Sequence, residues 1–270
     1  MILVNGIETD TVSALDRGLM YGDGVFRTLP VRGGAAVCWE LHYAKLAADC
    51  AALRIACPSR ESLSAELEQL ATREPDCAVK IIVTRGHGAR GYAVSASQQP
   101  TRILLSSPLP RYPHSYAATG VKLRLCATRL CHQHMLAGVK HLNRLENVLA
   151  RMEWDDAETA EGLLLDVEGN VIEGTMSNLF ALKGAVLYTP DLARCGVAGV
   201  QRQRIMALAP GLGLQVSVQN FPLGFLLQAD EAMLCNSLIG VWPVREFAGK
   251  SWARRDLAHK IGRMLHAAND

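Results

Sequence analysis

No run of apolar residues in this 270-residue chain approaches the roughly twenty needed to span a bilayer, so no membrane partner is expected. The opening residues, MILVNGIETD, lack a basic segment followed by an apolar core, and no signal peptide is expected there. The eight cysteines are scattered and fit reduced thiols in the cytoplasm better than a disulfide framework. Cys126, Cys131, His132 and His134 lie close in sequence, but their spacing matches no usual zinc pattern, so no metal is expected. There is no internal repeat and no low-complexity tract. A further absence is more informative: not one Asp or Glu occurs from Cys77 to Leu145, a stretch that carries ten Lys or Arg. A solvated basic face would explain this. A pocket for a ligand with several negative charges is the sharper reading. Nucleic acid fits less well, because the stretch reads as apolar strands and not as a Lys-rich helix or an aromatic platform.

The same absence bears on Gly86-His-Gly-Ala-Arg-Gly91, which follows the apolar run Ala78–Val83 and matches the glycine pattern of a dinucleotide-binding turn. That turn needs a helix after the glycines and an acidic residue about twenty positions on to hold a ribose. Here Gly91 leads toward Pro100 and a further strand-like run, and the acid is missing. The segment reads as a glycine-rich loop between two strands.

The composition, 49% apolar and 20% charged with a net charge of +2, is that of a globular chain large enough for one big domain or two ordinary ones. Met1 to Val4 reads as a strand ended by the turn Asn5-Gly6, and Gly24 to Val31 as a second strand. Trp39 to Ile55 has helical spacing, and Ser59 can cap a helix through Arg73. Strands are expected near 78–85 and 101–107. Pro108-Leu-Pro-Arg-Tyr-Pro113 is the most linker-like segment, giving a domain over 1–107, a linker over 108–117 and a second domain over 118–270. In the second, a strand is expected over 121–128, a helix over 143–158 and a hairpin from 163–166 and 171–182. A helix over 200–208, strands near 214–218 and 231–235, and a last helix over 253–267 follow. The irregular alternation predicts an α+β fold in two domains.

Three features could carry chemistry. Lys140 lies among small and apolar neighbours, where an amine loses its preference for the charged form and can serve as nucleophile or base. Taken alone, an isolated lysine is more often a solvated surface residue. Glu173 interrupts the apolar run Val171–Phe180; a carboxylate there is either outward-facing or a partner for a cationic ring nitrogen. Gly196-Val-Ala-Gly-Val-Gln-Arg202 runs a glycine turn into a helix, an ordinary entry or a seat for a phosphate.

With Asp16-Arg17-Gly18, Tyr21-Gly-Asp-Gly-Val-Phe26, Glu173-Gly-Thr175 and Ser177-Asn178, these pieces resemble the fold type IV pyridoxal-phosphate enzymes. That family includes branched-chain and D-amino acid aminotransferases and 4-amino-4-deoxychorismate lyases. Thr84-Arg-Gly86, Arg90-Gly-Tyr92 and Ala137–Glu146 are most similar to the lyase branch. The resemblance implies pyridoxal 5′-phosphate in the cleft between two domains, a homodimer, and conversion of a small dianionic substrate to 4-aminobenzoate and pyruvate. It implies Lys140 as the Schiff-base lysine and Glu173 as the ring-nitrogen partner. Gly199, Val200, Gln201 and the Ser237 hydroxyl would hold the phosphate. Lys45 stands where the family usually has a phosphate-binding arginine. Arg90 and Tyr92 fall in the pattern of a substrate carboxylate trap. Phe26 is expected beside the substrate, with Thr28 on the same strand face. The rival within this family is an aminotransferase, separated by its need for a keto-acid acceptor. A binding protein on a degenerate scaffold would lack the lysine-bound cofactor.

Overall fold

The computed structural model of the chain describes residues 1–88, 90–95 and 98–267, so Ala89 of the glycine-rich loop and residues 268–270 of the expected second domain lie outside them. The chain divides into two compact units. The first comprises Met1–Pro110 together with Val139–Asn143, and the second Arg111–Gly138 together with Arg144–Asp270. The expected linker, 108–117, holds the end of one strand, Pro108, and most of a short helix, His114–Ala118 (α4). Lys140 lies in the five residues that return to the first unit.

In the first unit the strands are Ile2–Val4 (β1), Ile7–Glu8 (β2), Gly24–Arg32 (β3), Ala35–Ala36 (β4), Cys77–Thr84 (β5) and Thr101–Pro108 (β6). The helices are Arg17–Tyr21 (α1), Trp39–Ala52 (α2) and Arg60–Arg73 (α3). Among the described residues the six strands form one antiparallel sheet, ordered β2-β1-β6-β5-β3-β4. Strand periodicity sorts its two faces. Val25, Leu29 and Val31 of β3, with Val79, Ile81 and Val83 of β5, are fully buried. Leu46 and Cys50 of α2 and Leu63, Leu67 and Leu70 of α3 join the same core. Phe26, Thr28, Lys80 and Ile82 alternate onto the other face and stay half-buried, and the register sets Phe26 opposite Ile82 and Thr28 opposite Lys80. Ser59 caps α3 as expected, its Oγ accepting the Ser62 N–H at 3.1 Å.

The second unit holds α4, Val121–Leu130 (β7), Leu145–Arg151 (α5), Thr159–Asp166 (β8), Val171–Gly174 (β9), Asn178–Lys183 (β10) and Val186–Thr189 (β11). Val200–Leu208 (α6), Gln215–Val218 (β12), Leu223–Leu227 (α7), Glu231–Asn236 (β13), Gly240–Phe247 (β14), Lys250–Ser251 (β15) and Asp256–Ala267 (α8) follow. Among the described residues the sheet is nine-stranded and mixed, ordered β12-β11-β10-β13-β14-β7-β8-β9, with β15 on β14 and one extra pairing of β9 with β10. The α+β class expected from the sequence is observed.

Two expectations need correction. The helix expected over 143–158 stops at Arg151, because the Asp156 side chain takes the N–H groups of Glu158 and Thr159 into a turn before β8. The continuous strand expected over 171–182 is split into β9 and β10. Glu161, 1% exposed, accepts the N–H groups of Thr175 and Met176 and the hydroxyls of Thr175 and Ser177, pulling residues 175–177 out of the strand. Burial raises the Glu161 carboxyl, and those hydrogen bonds oppose the rise.

Candidate active site

The first unit supplies an amine at a sheet edge. Residues 140–142 run beside the start of β3: Phe26 N–H donates to the Lys140 carbonyl at 2.9 Å, and Leu142 N–H donates to the Gly24 carbonyl at 3.0 Å. This backbone pairing fixes Lys140 against β3, and its Nζ lies 4.6 Å from the centre of the Phe26 ring. Lys80 Nζ lies 5.0 Å from the same ring. Thr28, two residues on and on the same face, completes a half-buried strip with Phe26 and the two amines.

Beneath this strip lies a charge cluster that sequence reading did not reveal. Asp49, fully buried on α2, pairs with Arg27 and with Lys45, and its Oδ2 accepts the Lys140 backbone N–H at 3.3 Å. Burial pushes Arg27 down to about 9. Burial, followed by the charges of Arg27 and Lys140, pushes Lys45 down to about 7. By geometry Lys45 is half of an ion pair with Asp49. Removing one partner of a buried pair costs about 3–5 kcal/mol, so Asp49→Asn is expected to lower stability by that order. Denaturant unfolding checks this, and a change below about 1 kcal/mol would contradict it.

The second unit supplies a buried carboxylate and a helix start. Glu173 on β9 is 3% exposed, and its Oε2 accepts the Val197 N–H at 2.8 Å. Gly196 makes that approach possible: its φ is +83°, and a Cβ there would meet Ile172 Cγ2 and Leu192 Cδ2 at 2.8 Å. The segment 196–198 also pairs with Gly138, the last residue of this unit before the chain passes to Val139. Asn178 ties the segment to α6: its Nδ2 donates to the Val197 carbonyl at 2.7 Å, and its Oδ1 accepts the Gly199 N–H at 3.1 Å. A Cβ on Gly199 would sit 2.4 Å from that Oδ1, so the turn is cut to fit glycine. α6 then begins at Val200 without a side-chain cap, leaving N–H groups in its first turn that suit a phosphate. The register sets Cys235 opposite Asn178, so Ser237, two residues on, follows at that end of the sheet. Arg144, at the N-terminus of α5, is lowered by burial and held charged by Glu173 and Glu146.

The basic stretch is partly accounted for otherwise. Arg85 pairs with Asp23, Arg102 with Glu66, Lys122 with Glu158 and Glu246, and Arg124 with Glu153. Carboxylates distant in sequence thus neutralise four of the ten cations. Arg90 is exposed, and Tyr92 is 83% exposed with its ring 5.3 Å from that of Tyr21. A different acidic group, His132, Asp166 and Glu168, has metal-ligating atoms within 4.8 Å of one another. Asp166, however, already accepts from His132, from Asn170 N–H and Nδ2, and from Glu168 N–H.

An amine braced at a sheet edge, a buried carboxylate and an uncapped helix start, carried on these two sheets, define a fold type IV architecture. The solved 4-amino-4-deoxychorismate lyase of Pseudomonas aeruginosa matches this chain with a TM-score of 0.96 at 45% identity, over 99% of this chain and 98% of that one. An aminodeoxychorismate lyase of Vibrio harveyi is 36% identical over 264 residues, which cover 98% of this chain and 96% of the relative. A solved branched-chain amino acid aminotransferase of Escherichia coli matches with a TM-score of 0.87 at 21% identity, over 99% and 93% of the two chains. That last likeness is one of fold. The amino-transferase class IV family is matched over residues 24–247, and the chain belongs to that family.

Proposed function

We propose that this chain is a pyridoxal 5′-phosphate-dependent 4-amino-4-deoxychorismate lyase, forming 4-aminobenzoate for folate synthesis and releasing pyruvate. The observation that carries the reading is the full-length likeness to two lyases, with Lys140 braced at the edge of β3 and Glu173 buried against Val197.

The residues fit the cofactor. Gly196 and Gly199 have no room for a Cβ and let the backbone of 196–199 close on Glu173 and Asn178, the buried Glu173 carboxylate suits a cationic ring nitrogen, and the first turn of α6 suits a phosphate. When bound, pyridoxal 5′-phosphate supplies an electron sink for charge developing at the amine-bearing carbon. Lys140 Nζ takes the proton from that carbon and returns one to the departing three-carbon fragment. Glu173 keeps the proton on the ring nitrogen. The backbone around Gly199, with the N–H groups of Val200 and Gln201, and the Ser237 hydroxyl would hold the phosphate, and Lys45 would add positive charge. Arg90 and Tyr92 orient a substrate carboxylate; Phe26 packs beside the substrate, and Thr28 lines the same face. Supplying 2-oxoglutarate should be neither required nor stimulating. Dependence on it would put an aminotransferase in place of the lyase.

A homodimer is part of the same proposal. Leu145, Val148, Leu149 and Met152 recur at helical spacing along α5 and its end, and all four are exposed. An apolar stripe of this kind needs a cover. Leu149→Asp is expected to shift the protein toward monomer by light scattering; an unchanged mass would contradict the assignment of this face. The cytoplasmic location rests on the eight free cysteines. Among the described residues, no helix is long and apolar enough to cross a membrane.

A further inference from the structure

The glycine-rich loop is fastened to one side chain. Arg17 is 3% exposed although it opens the five-residue helix α1. Its backbone N–H donates to the Gly86 carbonyl at 2.9 Å, at the entry to the loop. Its guanidinium donates to three successive carbonyls on the far side of Arg90: Gly91 at 2.9 Å, Tyr92 at 3.4 Å and Ala93 at 3.4 Å. Gly88 packs on its stem, so closely that a Cβ there would sit 2.8 Å from Arg17 Cδ. The guanidinium is itself oriented, because its Nε donates to Asp23 Oδ2 at 2.9 Å. Asp23 is gripped in turn by Arg85 at 2.8 and 2.9 Å. Burial raises the Asp23 carboxyl, but the hydrogen bonds and charges of Arg85 and Arg17 outweigh it and hold it below its usual range. Tyr21 adds a second tie: its hydroxyl accepts the Gly91 N–H at 3.2 Å, while its ring lies 5.0 Å from the Arg17 guanidinium carbon and 5.3 Å from the Tyr92 ring.

We propose that Arg17 is a positioning residue for substrate selection, a latch that fixes the loop on both sides of Arg90 and so sets where that guanidinium can meet a carboxylate. The inference rests on the reading of Arg90 as the substrate contact. Carbonyls of an irregular loop need donors, and a planar guanidinium with five N–H groups can serve three of them and a carboxylate at once. A lysine in the same place keeps the charge toward Asp23 but cannot span the three carbonyls. The effect should fall on binding, because the partners of the Arg17 guanidinium are the loop carbonyls, Asp23 and the Tyr21 ring, and none of them belongs to the strip of Lys140 and Phe26.

The test compares wild type, Arg17→Lys and Arg90→Ala, reading KM, kcat and the rate of tryptic cleavage after Arg90. Arg17→Lys is expected to raise KM about tenfold, the scale of one charged hydrogen bond, and to leave kcat within about twofold. Cleavage after Arg90 should quicken at an unchanged melting temperature. Should Arg17→Lys fold poorly, Tyr21→Phe removes only the hydroxyl tie and is expected to move KM in the same direction by a smaller factor. If Arg90→Ala raises KM and Arg17→Lys does not, the latch is overturned while the substrate reading stands. If neither moves KM, the substrate reading of the loop fails and the latch inference fails with it.

Discussion

Lys140→Ala is expected to abolish turnover, by about a thousandfold or more, since general base catalysis alone contributes about 10²–10⁴. Borohydride is expected to fix a cofactor label to the wild-type chain and none to the variant. The site makes the mapping of that label a demanding check. Lys80 Nζ lies 5.0 Å from the centre of the Phe26 ring, against 4.6 Å for Lys140 Nζ, so a second amine of the same chemistry shares the strip. Their places in the chain separate them. Lys80 sits mid-strand in β5, whereas Lys140 follows two residues after Gly138, which pairs with the segment that Glu173 holds. A label found by mass spectrometry on Lys80 would overturn the assignment.

The second large effect is expected at Glu173. Glu173→Gln preserves the shape and can still accept the Val197 N–H, so the fold and the bound cofactor should survive. What it removes is a buried negative charge, the one proposed above as partner of the ring nitrogen. Turnover should fall about a hundredfold or more, the scale of one preorganised electrostatic contact. Near-normal kcat with intact cofactor would show that the Val197 hydrogen bond is the whole of Glu173's role.

Much of this was legible in the sequence where the signal is local. The strands at 24–31 and 78–85, the Ser59 cap and the glycine entry to α6 were all readable from neighbouring residues. Lys140 and Glu173 stood out as a lone amine and a lone carboxylate in apolar runs. β14 was missed because Gly240-Val-Trp-Pro-Val-Arg-Glu-Phe247 contains Pro243, which argues against a strand flanked on both sides; it is nonetheless flanked by β13 and β7, with a register shift just after the proline. The carboxylates that organise the site were out of reach for another reason. Asp49 meets residues 22 and 91 positions away, and Glu161 meets residues 14 to 16 positions away across a strand break. The partners of the basic stretch were out of reach for the same reason, since Arg85 and Arg102 find Asp23 and Glu66 only once the sheet and helices are assembled.

The central claim is lysis without an acceptor, and product stoichiometry tests it most directly. Purified protein given 4-amino-4-deoxychorismate and no keto acid should make 4-aminobenzoate and pyruvate in equal amounts through many turnovers. A lyase would pass no amino group to a keto acid, so no acceptor would be needed between turnovers. A reaction that stops after one equivalent per active site, and resumes only when 2-oxoglutarate is added, would contradict the account.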